Sequence, residues 1–177
     1  MDVKTVKKII ANSKDDGKND QEIYNDLSEH YSNKKNLALL ITGTATKENK
    51  RKYKLYNNIL IGLLALTLLS RIIVSFFLIK EGIFLEFIFS LIGLLLPALL
   101  IYGVMQYSAP FYRLCGILAT MGFITSLVKQ HDTTSILLDL IPIAAVAVLA
   151  FFLSFKMFPN FKPRQLKKDT NGNYLLG

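Results

Sequence analysis

Between residues 59 and 155 the chain carries four apolar segments separated only by short polar breaks, and each segment is long enough to cross a bilayer. A helix rises ~1.5 Å per residue, so about twenty mainly apolar residues traverse a hydrocarbon core of roughly 30 Å. The segments fall at 59–79, 83–104, 111–128 and 136–155, and the breaks are "KEG" at 80–82, "MQYSAP" at 105–110 and "KQHDTTS" at 129–135. Such short breaks make consecutive segments antiparallel neighbours. The expected fold is all-α: an integral membrane four-helix bundle over 59–156 with a small N-terminal cytoplasmic helical cap. A three-span alternative lays 72–86 along the outer interface, where Lys80, Glu81 and Glu86 would be tolerated.

Orientation follows from Lys and Arg in the flanks, because cations close to a span resist translocation. Lys47, Lys50, Arg51, Lys52 and Lys54 precede the first span, Arg113 lies by the second break, and Lys156, Lys162, Arg164, Lys167 and Lys168 follow the fourth. The first and third breaks offer Lys80 and Lys129. Both termini are therefore expected in the cytoplasm, in a multi-pass protein of the cell inner membrane. An even number of spans requires the same parity. The mostly polar residues ahead of the first span do not read as a cleaved signal, so that span is expected to be a retained anchor.

The formal charge of +8 is confined to the two ends: residues 1–58 hold twelve Lys or Arg against eight Asp or Glu, and 156–177 hold five against one. The head, 1–45, reads as short amphipathic helices, with Val3, Val6 and Ile10, then Ile23, Leu27 and Tyr31, then Leu37, Leu40 and Ile41 at helical spacing. Asn19 and Glu22 have the spacing of a capping box, and Gly17 and Gly43 act as breakers. Residues 46–58 form a basic juxtamembrane helix able to run straight into the first span. Lys47, Lys50, Arg51, Lys52 and Lys54 are its candidate contacts to anionic lipid. Residues 157–177, with two prolines and "NGN", read as a basic, partly extended cytoplasmic tail.

Arg71 is the residue out of place, a charge just past the middle of an apolar segment that costs about 2.5–3.5 kcal/mol on insertion scales. A turn at 80–82 sets Glu86 opposite about residue 76, roughly one and a half turns outward of Arg71. Asp139 occupies a similar level in the fourth span. Arg71, Glu86 and Asp139 are thus the candidate intramembrane polar cluster, either an outward-facing polar cavity or an ion-pair cluster that fixes helix register. Gly116 with Thr120 and Cys115 with Ala119 give small-residue faces for packing inside the bundle or between copies.

Catalytic and cofactor chemistry is not written into the chain. His30 stands four residues after Asp26, an expected exposed pair, and His131 lies beside Asp132 in the third break. No HExxH, paired-Cys, Walker or GxSxG pattern occurs, so no catalytic residue, metal ligand or cofactor is assigned and an enzyme is not expected. Nucleic acid is not an expected partner either, since the helix pair ahead of the basic run gives its middle to apolar residues. What remains is a membrane protein of binding or assembly type. Its expected partners are membrane lipids, a protein docking on residues 1–45, and further copies of itself. The alternative is a small oligomeric channel, transporter or membrane-permeabilising effector using the Arg71, Glu86 and Asp139 level.

Overall fold

Local stop and start signals set the first turns of the structure. Helix α1 (Val3–Asp15) ends when Gly17 takes the left-handed conformation (φ 85°). The amides of Gly17 and Lys18 then donate to the carbonyls of Lys14 and Ser13, the two bonds of a Schellman stop. Helix α2 (Asp20–Ser28) opens on the expected capping box: Asn19 Oδ1 accepts from the Glu22 amide at 2.8 Å, and Glu22 Oε2 accepts from the Asn19 amide at 3.0 Å. Helix α3 (Lys34–Thr42) is capped by the Asn33 side chain. Their apolar faces meet in one core of Val6, Ile10, Ile23, Tyr24, Leu27, Leu37, Ala38 and Ile41, with Tyr31 and Leu40 at its edge. Val3, expected inside, is 46% exposed because the core begins one turn further along α1.

The computed structural model describes residues 2–80, 84–129, 133–163, 165–170 and 172–176; for 74, 78–80, 84–86, 89, 90, 92, 129 and 133–139 it describes the backbone alone. The remaining helices are α4 (Lys47–Lys52), α5 (Lys54–Lys80), α6 (Phe84–Met105), α7 (Ala109–Lys129) and α8 (Thr133–Met157). A continuous helix from 46 into the first apolar segment was expected, but Tyr53 breaks it (φ −102°, ψ 11°), its amide closing α4 on the Asn49 carbonyl. Residues 72–80 continue α5 unbroken, so no separate interfacial segment starts at 72. Among the described residues, three helical stretches are long and apolar enough to cross a membrane: Lys54–Phe77, Ala109–Val128 and Leu140–Met157. In α6 the apolar stretch among the described residues is Gly93–Met105. Pro97 and Pro142 are accommodated inside α6 and α8.

The chain divides into two compact units, an end unit of 1–54, 107–110 and 154–177 and an apolar unit of 55–106 and 111–153. The end unit holds seventeen Lys or Arg against nine Asp or Glu, the whole of the formal +8, while the apolar unit holds four against four. Their surfaces obey opposite rules. In the apolar unit Leu66, Phe76, Leu95, Val128 and Val148 are all more than 60% exposed. In the end unit Ile10, Ile23, Leu37 and Ile41 are buried, and the lysines other than Lys14 and Lys50 are exposed.

The partly extended tail folds back as a two-stranded antiparallel hairpin, β1 (Lys167–Lys168) with β2 (Tyr174–Leu175), turned at Gly172 (φ 79°). Tyr174 and Leu176 then enter the core of α1–α3. The Tyr174 amide donates to the Tyr24 hydroxyl at 3.2 Å, the two rings meet edge to face at 6.4 Å, and Gln21 accepts from the Leu176 amide at 2.7 Å.

Candidate functional site

Three polar constellations stand out, and each lies within one unit. The first surrounds Arg71 on α5, in the apolar unit. Helical side chains lean toward the N-terminus of their own helix. The Arg71 guanidinium accordingly lies against α6 at Gly93, where a Cβ would come within 3.0 Å of Nη1. Gly93 is seven residues beyond Glu86 on α6, roughly 10 Å by helical rise. The arginine is exposed on the surface of its unit, and its carbonyl accepts from the Ser75 hydroxyl at 2.8 Å. The side chains of Glu86 and Asp139, the expected partners of Arg71, lie outside the described residues, as do His131 and Asp132 entirely.

Deeper in the same unit is a polar contact that sequence reasoning missed. Tyr112 on α7 and Asn57 on α5 are both buried, and the tyrosine hydroxyl donates to Asn57 Oδ1 at 2.6 Å and approaches the Val104 carbonyl of α6 at 3.2 Å. Nothing in the spacing of an isolated Asn and Tyr announces such a pairing across three helices. The small-residue face of α7 is used internally: Gly116 is buried against the Phe151 ring of α8, and Thr120 turns its hydroxyl back to the Gly116 carbonyl at 2.8 Å.

The second constellation is in the end unit. Lys14 Nζ is held at 2.9 Å by both Asp20 Oδ1 and the Thr44 carbonyl, and the two ionic side chains are only 8% and 10% exposed. The other Asp20 oxygen accepts from Asn160 Nδ2 at 3.0 Å. These groups border a cavity of about 170 Å³, together with Thr42, Asn49 and Phe158. Asp26, expected beside His30, instead accepts from Lys18 Nζ at 2.7 Å, because α2 stops at Ser28 and His30 is no longer on a helical face with it. That hydrogen bond and the nearby negative charge raise the Lys18 pKa above its ordinary value.

The third is α4, whose cations divide into two sets. Lys47 and Arg51 line an open cleft with Lys14, Asp15, Asp16 and Glu48, three cations against three carboxylates. The Lys47 amide is already capped by Asp15 Oδ1 at 2.9 Å. Lys50 instead turns toward the α6–α7 connection, with Nζ 5.7 Å from the centre of the Tyr107 ring, and Lys52 lies 5.7 Å over Tyr53. Tyr107 holds a left-handed backbone (φ 50°), uncommon for a residue with a Cβ, beside the Thr44–Ser108 bridge. Of the five expected lipid-contact residues, Lys47 and Arg51 thus line a cleft shared with carboxylates, and Lys50, Lys52 and Lys54 are not among its lining residues.

No protein family, curated protein or solved structure matches this chain.

Proposed function

We propose that the chain is a multi-pass inner-membrane protein of binding or assembly type, with four antiparallel membrane helices and a positively charged cytoplasmic head. The observation that carries this reading is the segregation of charge. The whole formal +8 lies on the unit that gathers the N-terminal helices, the 107–110 connection and the tail, and none of it on the unit clothed in Leu, Phe and Val. A surface of large apolar side chains is the wrong face for water and the right one for acyl chains. Cations resist translocation, so the three segments of the end unit belong on the cytoplasmic side together. The head then presents a cationic face to the inner leaflet or to an acidic partner, and copies assemble through the apolar unit.

Thiol labelling from outside intact cells tests the arrangement. Glu29→Cys in the head and Lys162→Cys in the tail should both resist a membrane-impermeant maleimide until the membrane is opened; labelling of either one in intact cells would overturn the reading.

One observation favours a second reading, in which an oligomer conducts an ion or solute past the Arg71, Glu86 and Asp139 level. Arg71 is exposed on an otherwise apolar surface, where a charge facing only lipid costs about 2.5–3.5 kcal/mol. In that case vesicles containing the protein leak, and Arg71→Ala changes the leak rate by about tenfold or more, a barrier change of about 1.4 kcal/mol. Vesicles as tight with the protein as without it would remove this reading.

A further inference from the structure

We infer that the end of α4 and the first residue of α5 form a binding site for the head group of an anionic phospholipid, held by Lys50, Lys52 and Lys54 and not by the neighbouring Lys47 and Arg51. The inference rests on the membrane reading above and deepens it by naming a partner and the residues that take it. Its first support is depth. Among the described residues, three helical stretches of membrane length end at Lys54, Ala109 and Met157, and all three ends belong to the end unit. Each is tied to α4. Lys54 follows it after one residue. Tyr107, two residues before Ala109, lies under Lys50 Nζ at 5.7 Å. The Met157 carbonyl accepts from Asn49 Nδ2 at 3.3 Å. A six-residue helix fastened to the ends of three spans lies where hydrocarbon gives way to phosphate.

The second support is chemistry. Phosphodiesters are met by ammonium groups, and tyrosines prefer head-group depth because one edge of the ring is apolar and the other wet. Here Lys50 pairs with Tyr107 and Lys52 with Tyr53, while Lys52 and Lys54 are exposed. The third is discrimination within the helix. Lys47 and Arg51 share their cleft with Lys14 and with Asp15, Asp16 and Glu48, so three carboxylates offset three cations and the cleft has no net attraction for another anion. The ligand is a membrane lipid rather than a soluble phosphate because the cations are fastened to span ends, where the two-dimensional lipid phase supplies head groups at high local concentration.

The full chain is to be placed in lipid discs containing equal phosphatidylglycerol and phosphatidylcholine, and the lipids retained through gradual delipidation counted by native mass spectrometry. The wild-type chain should retain phosphatidylglycerol preferentially. Each cation near an anionic surface contributes about fivefold in binding, so Lys50→Gln, Lys52→Gln and Lys54→Gln together should reduce the preference by about a hundredfold. Lys47→Gln with Arg51→Gln should change it by no more than about fivefold. Lys→Arg at positions 50, 52 and 54 should preserve it, which separates loss of charge from loss of fold. An unchanged preference in the triple Gln variant, an equal loss in the Lys47/Arg51 pair, or displacement of the lipid by inorganic phosphate would each overturn the site. A head protected in the maleimide experiment but indifferent to lipid charge sinks this inference alone, whereas a labelled head sinks the membrane orientation beneath it.

Discussion

Replacing Tyr174 by Ala should loosen the entire head by about 3 kcal/mol, although the residue lies roughly 150 positions away from the helices it holds. Tyr174 is 8% exposed and packs its ring edge to face on Tyr24. Its amide also satisfies the Tyr24 hydroxyl, in a core that Leu176 completes. Removing a buried aromatic ring forfeits its transfer free energy and leaves a cavity that three short helices cannot easily close. The head has few residues with which to absorb that loss, since a domain of this size buries only a modest fraction of its surface. Amide exchange measured on the full chain reads the effect directly. Protection at Ile23, Leu27, Leu37 and Ile41 should fall by about a hundredfold, while α7 and α8 keep theirs. If exchange in α2 and α3 were unaltered, the tail would be an ornament on a head that is stable without it.

A comparable effect is expected at the buried Lys14–Asp20 pair, with opposite outcomes for single and double replacement. Lys14→Met alone leaves the enclosed Asp20 carboxylate without its ammonium partner beside Asn160, and Asp20→Leu alone leaves the Lys14 ammonium at the Thr44 carbonyl without its carboxylate. Breaking one side of a buried pair costs about 3–5 kcal/mol. Replacing both at once removes the uncompensated charge and should restore most of the stability, because the desolvation penalty of the pair vanishes with it. Chemical unfolding of the head, followed through Tyr24 fluorescence or amide exchange, supplies the double-mutant cycle. Strictly additive losses in the double variant would mean that the two groups act independently despite their 2.9 Å separation.

What the sequence discloses is what local rules decide. The capping box of α2 needs only Asn19 and Glu22 three residues apart, and the apolar helices need only length. Even the neighbour of Arg71 is nearly legible. A turn at 80–82 sets position 71 opposite about residue 91, and the observed contact is Gly93, displaced by the lean of the side chain toward its helix N-terminus. The break at Tyr53 is not legible, because "KENKRKYKLYNN" has helical propensity throughout and only the tertiary ties of α4 stop it. The Asn57–Tyr112 bond joins a residue just ahead of the first apolar segment to one in the third, and neither stretch reveals which face it turns inward. The tail is hardest of all: two-residue strands carry no periodicity, and Tyr174 reads as a terminal aromatic until Tyr24 is placed against it. The division of the α4 cations is likewise invisible in a run of like charges, since it is Asp15 and Asp16 at the end of another helix that neutralise one set.

The return of the tail into the head imposes an order on biosynthesis. Chains emerge N-terminus first, and small domains ordinarily fold as they appear. Here the earliest helices wait, because Tyr174 and Leu176 leave the ribosome only after α5 through α8 have been made. Until then Ile23, Tyr24 and Leu37 present an unfinished apolar face, and its closure marks the moment at which every intervening helix has been produced.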